Sequence, residues 1–263
     1  MKLRLQYKTF IYTGICFASY LILMQYFQIF KERLDEFTQN GLVSYILTYF
    51  VFGIPIFLGT YLINPKISVV RSLGLLHNPL KPLLIAIMFS LPMFIGGLLF
   101  FEINSAISIP NMIAGSIVIG LVEESFYRGF LFGQIYRYTP LGFVSAILVG
   151  AIIFASGHMY QSQDILELAG IFSVTFMGAV LFAWLFVEWN YNLWIPVFLH
   201  ALMNLSWYLY DMSETAMGGM LPNIFRGLTI AFAIIFTLIY KKRRSLPITI
   251  TKDKLFSKHF SDS

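Results

Sequence analysis

Apolar residues gather along this chain into eight blocks, near 9–30, 42–63, 82–101, 110–136, 141–159, 165–187, 193–211 and 223–240. Blocks of about 20 residues have the length that carries a helix across a hydrocarbon core of about 30 Å, at about 1.5 Å per residue. The pattern predicts an all-α fold: a polytopic transmembrane helical bundle of about eight membrane-spanning helices, built as one transmembrane domain over 1–263. Between the blocks, 31–41 (KERLDEFTQNG) reads as a polar loop, 64–81 holds Pro65, Lys66, Arg71, Pro79 and Lys81, and Thr139-Pro140 separates the fourth block from the fifth. The first block is long and lacks a small-residue cleavage pattern, so it is expected to be the first span and not a cleaved signal.

Composition agrees. Hydrophobic residues make up 58% of the chain and charged residues 12%, against roughly a quarter charged in soluble domains. A single cysteine, Cys16, excludes internal disulfides, a CxxC metal site and a redox pair. The net charge of +5 comes from basic residues that flank the blocks, which is the signature of membrane topology and not of a nucleic-acid surface. With eight spans, the N-terminus, the 64–81 loop, Arg137 and the basic tail at 241–263 fall on one side, and Lys31, Arg33 and Arg226 near the other, so both termini are expected in the cytoplasm. The run Lys241-Lys242-Arg243-Arg244 would also suit anionic lipid. There is no internal repeat of the kind that marks many transporters.

Carboxylates inside a span demand a reason, because each costs roughly 2.5–3.5 kcal/mol at a helix centre. Glu123 and Glu124 lie about 20 Å along a helix counted from Pro110. Arg128, four residues beyond Glu124, shares its face in the favourable Glu-then-Arg order, so these two neutralise each other. Glu123 is turned by about 100° and has no partner in its own helix, which makes it the better candidate for chemistry. Two later spans add His158, with Phe154 four residues earlier on the same face, and the pair His200 and Asn204. Each of these groups alone also reads as an interfacial or interhelical hydrogen-bonding residue. His77, in a loop, and His259, in the tail, are expected to be solvated. One tension stands out: His158 would lie about 26 Å along its helix from Leu141, and His200 only about 9 Å beyond Trp194. A shared site therefore requires the fifth span to tilt, start deep or be displaced, or the boundaries to move.

On these residues the chain resembles the CAAX protease and bacteriocin-processing family, also called the abortive-infection family, of intramembrane proteases. Its EExxxR motif appears as Glu123-Glu124-Ser125-Phe126-Tyr127-Arg128, its FxxxH motif as Phe154-Ala155-Ser156-Gly157-His158, and its HxxxN motif as His200-Ala201-Leu202-Met203-Asn204. The motif-bearing core is 110–210; the first hundred residues add no motif and leave substrate choice open. The resemblance implies an endopeptidase acting on a lipidated or membrane-associated peptide. In it Glu123 would act as general base assisted by His158, His200 and Asn204 would stabilise the oxyanion, and Glu124, Arg128 and Phe154 would support the site.

Two versions of that chemistry are open. One places zinc at Glu123, His158 and His200, since one carboxylate, two imidazoles and an open water position make a catalytic ligand set; the other is a metal-free glutamate mechanism. The chain lacks HExxH, the helical signature of soluble zinc proteases. Other function classes compete: a non-catalytic membrane partner such as a bacteriocin immunity protein or sensor-kinase regulator, and a proton-coupled transporter. Expected partners are the lipid bilayer and the peptide substrate, with no nucleic acid. Short loops and the lack of an organelle-targeting extension point to a bacterial plasma membrane.

Overall fold

The computed structural model describes residues 2–258, and His259 lies outside the described residues. The helices are α1 (Lys2–Met24), α2 (Phe27–Thr38), α3 (Gly41–Ile63, with a break at Gly53), α4 (Val69–Leu73), α5 (Leu80–Phe100), α6 (Ile109–Tyr138), α7 (Phe143–Ser156), α8 (Ile165–Glu188), α9 (Trp194–Leu209) and α10 (Met220–Arg243). Among the described residues seven candidate spans, Leu3–Met24, Gly41–Ile63, Leu80–Phe100, Ile109–Tyr138, Phe143–Gln161, Ile165–Glu188 and Met220–Arg243, are long and apolar enough to cross a membrane. The chain is thus an all-α, multi-pass membrane protein. Outward faces are apolar at helical spacing, as with Leu84, Ile87, Leu91, Ile95 and Leu98 on α5, while small hydroxyl residues such as Ser44, Thr48 and Thr60 turn inward and bond to carbonyls of their own helix or stand between helices.

The expected seventh span is the exception. α9 has 16 residues, about 24 Å of helix, yet it runs the same course as its neighbours. At its start Leu193 N–H donates to Gly74 O (3.0 Å), and at its finish Leu209 O accepts from Asn104 N–H (2.9 Å). Contacts define the two ends of the bundle. Lys8 donates to Leu62 O (3.5 Å), Leu5 packs in the same cluster as Tyr138, Lys81 donates to Tyr240 Oη (2.9 Å), and Lys258 N–H donates to Pro140 O (2.7 Å). Both ends of the described chain therefore meet at one end of the bundle, called here the basic end. The loops 101–108, 157–164 and 210–219 sit at the other.

Two local expectations change. Most of 31–41 is helix, not loop: α2 is held by Lys31–Asp35 (2.7 Å) and Arg33–Glu36 (3.2 Å) pairs, and its Phe27 packs against Tyr45 and Tyr49 of α3. Charged residues hide a helix from hydropathy, although i,i+4 pairing supports one. Outside the spans, the Lys31 ammonium holds the Asp35 carboxyl below its ordinary pKa through a hydrogen bond, with Ser44 adding a second. The basic run also loses its first member to the interior. Lys241 is 5% exposed and pairs with buried Glu188, whose carboxylate also accepts Thr249 N–H (3.0 Å) and Ile250 N–H (2.9 Å). From there the tail crosses the start of α7, where Phe256 O accepts Gly142 N–H (2.9 Å) and Leu255 O accepts Val144 N–H (2.8 Å), satisfying donors that the first turn of a helix leaves without partners.

Candidate active site

α6 carries both carboxylates and is not a uniform α-helix. Wider π-helical turns at Ala114–Val118 and Glu124–Phe132 flank an α-helical turn at Ile119–Glu123; such turns are frequent at functional sites. Directly before the motif, Gly120 lets α6 and α9 approach: a Cβ there would stand 3.1 Å from Ala201 N and 3.2 Å from Ala201 Cα. This contact sets His200 level with Glu124.

α9 reaches that level because it starts deep. Gly74 ends α4 with φ +91°, a left-handed conformation that costs glycine little, and a side chain there would collide with Tyr191 O. The resulting turn points Gly74 O inward to receive Leu193 N–H, and Trp194 Nε1–H donates to Leu75 O (3.0 Å). A Cβ at Gly129, nine residues before the end of α6, would lie 3.4 Å from Leu193 Cδ2. The depth mismatch between His158 and His200 is thus resolved chiefly by the recessed start of α9. The α-helical part of α7 also stops at Ser156, and the His158 ring folds back on Phe154, with centroids 4.7 Å apart.

The two glutamates divide as helix geometry requires. Glu124 is fully buried, with Oε1 3.2 Å from Arg128 Nη1 and 2.8 Å from His200 Nδ1. Arg128, also fully buried, lies against the faces of Phe154 (4.4 Å) and Phe182 (5.5 Å). The carboxylate accepts a hydrogen bond from Nδ1–H of His200 and so fixes which ring nitrogen faces the cavity. That nitrogen, Nε2, stands 3.7 Å from Oε2 of Glu123, whose side chain is 19% exposed. Phe182 stacks on the His200 ring at 5.2 Å and 15°. Asn204 Nδ2 donates to Gly115 O (3.2 Å), and His158 Nδ1 donates to Phe154 O (2.8 Å), leaving Nε2 free of that bond.

Glu123, Phe154, His158, His200 and Asn204 line one cavity of about 830 Å³. All the expected residues thus meet there, Glu124 and Arg128 forming the layer behind its wall. Sequence reasoning missed Phe182, an apolar residue in an apolar span that gives no signal. It also missed Tyr127, which lines the cavity and stands four residues after Glu123, so the same-face rule that paired Glu124 with Arg128 would have found it. Among the described residues no group of three or more His, Cys, Asp and Glu side chains is arranged to hold a metal ion. Glu123, His158 and His200 do not fit a three-ligand zinc centre as placed.

Residues 105–206 match the family model described as Rce1-like, type II CAAX prenyl endopeptidase Rce1-like. All three motifs fall inside the match, so the resemblance they carry to the CAAX protease and bacteriocin-processing family is borne out over this segment. Neither the curated proteins nor the solved structures yield a match.

Proposed function

We propose that this cavity is the active site of an intramembrane endopeptidase hydrolysing a peptide bond in a lipidated or membrane-associated peptide, and that Glu123 is its general base. One observation carries the reading: a buried carboxylate orients His200 so that its other nitrogen faces a second, cavity-exposed carboxylate across 3.7 Å. That separation is too long for a direct hydrogen bond and suits a group held between the two, such as the attacking water. Glu123 takes a proton from that water as its oxygen bonds to the scissile carbonyl carbon. The oxyanion is met by the second N–H of Asn204 Nδ2 and by the cavity-facing Nε2 of His200 when it carries a proton. Glu123 then gives its proton to the leaving amine as the C–N bond breaks. His158, with Nδ1–H on Phe154 O, presents Nε2 as an acceptor that assists the base.

A lipidated peptide anchored in the membrane is the first substrate to try, with a prenylated CAAX-type tail in the panel because the matched family is described by that activity. The segregation of lysine and arginine supports a cytoplasmic basic end, and with it cytoplasmic termini. The chain works as one membrane domain in which 110–210 supplies the chemistry. The decisive test is cleavage of a panel of lipidated and unmodified peptides by detergent-purified protein. Glu123→Gln is expected to lose cleavage by at least 100-fold while membrane insertion and thermal stability are retained. Cleavage at the wild-type rate by that variant would remove Glu123 from the chemistry.

A further inference from the structure

The cavity and the charge of the molecule point in opposite directions. Of the 18 lysines and arginines, 14 lie in the segments that gather at the basic end and three, Lys31, Arg33 and Arg226, at the other. The acidic residues run the other way, with Glu102, Asp164, Glu167, Asp211 and Glu214 all in the loops and helix ends opposite. Seen from Glu123, the cavity is lined outward by Met24 and Gln25 at the end of α1, by Gly157, His158, Tyr160 and Gln161 after α7 and by Ser213–Ala216 after α9. None of its lining comes from the loops of the basic end. The mouth is built, not incidental. Gln161 Oε1 accepts Ala216 N–H (2.7 Å), Thr215 Oγ1 donates to Glu167 Oε1 (2.8 Å), and Ser162 Oγ donates to Glu167 Oε2 (2.7 Å). Arg226 also donates to Ala216 O (2.7 Å) and lies over Trp207 (4.8 Å). These bonds join the two mouth loops into one rim.

From this we infer that the active-site cavity opens on the non-cytoplasmic face, so that its substrates are peptide segments that have already crossed the membrane while staying anchored in it. The side of the mouth follows from the basic end being cytoplasmic, because short loops rich in lysine and arginine are retained there. The substrate class rests in addition on the endopeptidase reading above. Translocation of the peptide must then precede cleavage, and the product is released outward. The basic end seals the opposite side: Leu193, Gly74 and Leu73 are buried there beneath the active-site level, so a cytoplasmic peptide has no lined path to Glu123.

Cysteine labelling in intact cells tests this without any turnover. In a Cys16→Ser background, Glu214→Cys or Tyr160→Cys reports the rim, both positions being exposed, and Ser245→Cys reports the basic end. A membrane-impermeant maleimide is expected to label the two rim variants in intact cells, and the Ser245→Cys variant only after permeabilisation. The reverse pattern would overturn the inference, as would labelling of rim and basic-end variants only after permeabilisation. If one rim variant fails to fold, the other still reports. Sidedness and catalysis fail separately. A reversed pattern with Glu123→Gln inactive leaves a cytoplasm-facing peptidase, whereas the expected pattern with Glu123→Gln fully active leaves the mouth where it is and removes the peptidase.

Discussion

Glu124 and Arg128 form a buried pair whose energetics can be worked from its geometry. At 3.2 Å and an effective dielectric constant of about 20, the attraction is about 5 kcal/mol. Removing one partner leaves the other charge uncompensated and costs about 3–5 kcal/mol; the aromatic faces of Phe154 and Phe182 against Arg128 remain in that variant and do not offset the loss. Glu124→Gln is therefore expected to destabilise the protein by about 3–5 kcal/mol, and Arg128→Met by a similar amount. The double variant leaves no buried charge from the pair, so it should recover about 3 kcal/mol relative to the sum of the singles. It should not recover fully, because His200 Nδ1 loses a hydrogen bond to a charged acceptor, worth about 1.5–3 kcal/mol. Reversible unfolding in mixed detergent micelles, run as a double-mutant cycle, measures these terms. Additive effects within about 0.5 kcal/mol would refute the account, as they would mean that the two side chains do not hold each other.

Other outcomes follow from single contacts. Phe182→Leu removes the ring stacked on His200, an interaction of about 0.5–1.5 kcal/mol, and is expected to lower kcat by roughly 2–10-fold with KM unchanged; a change confined to KM would place Phe182 in substrate binding instead of positioning. Truncation after Ile248 removes the acceptors that meet Gly142 and Val144 N–H and strips the Glu188 carboxylate of two donors. At about 1 kcal/mol per lost cap, the protein should lose about 2 kcal/mol or more, read by thermal unfolding, and unchanged stability would show that the tail is not docked. Burial against Tyr136, with the nearby charge of Lys254 adding to it, pushes the Lys258 ammonium down to about 8. A group whose pKa is lower docked than free binds more protons in the free state, so docking strengthens as pH rises from about 8 toward the ordinary lysine value. Hydrogen exchange at Gly142 and Val144, corrected for intrinsic rate, should be slower at pH 9.5 than at pH 7.5; the opposite trend contradicts the assignment.

Much of the architecture was legible in the chain because hydropathy reports transfer into lipid directly. It failed where that link breaks. α2 carries the charges of a loop, and only its internal ion pairs and its aromatic contacts with α3 reveal a helix. α9 was found, but its shortness and depth were not, since both depend on a backbone turn at Gly74 more than 100 residues earlier in the sequence. The site divides in the same way. Glu124–Arg128 is an intrahelical pair and was readable from spacing, whereas the His200 contacts with both glutamates, and Phe182 behind the ring, come from helices that sequence separation leaves unrelated.

The adjacent glutamates show why the motif needs its arginine. Two neighbouring carboxylates in a membrane core repel each other unless one of them is balanced. Arg128 removes that conflict by balancing Glu124 inside the wall, at 3.2 Å and out of solvent. Glu124 is then free to accept a hydrogen bond from His200, whose ring it orients. Glu123, one residue earlier and about 100° around the helix, faces the cavity with its charge opposed by no like charge that is itself unpaired. On the proposed reading a rotation of about 100° thus separates the carboxylate that organises from the one that reacts, and the same rotation keeps Arg128 from pairing with Glu123.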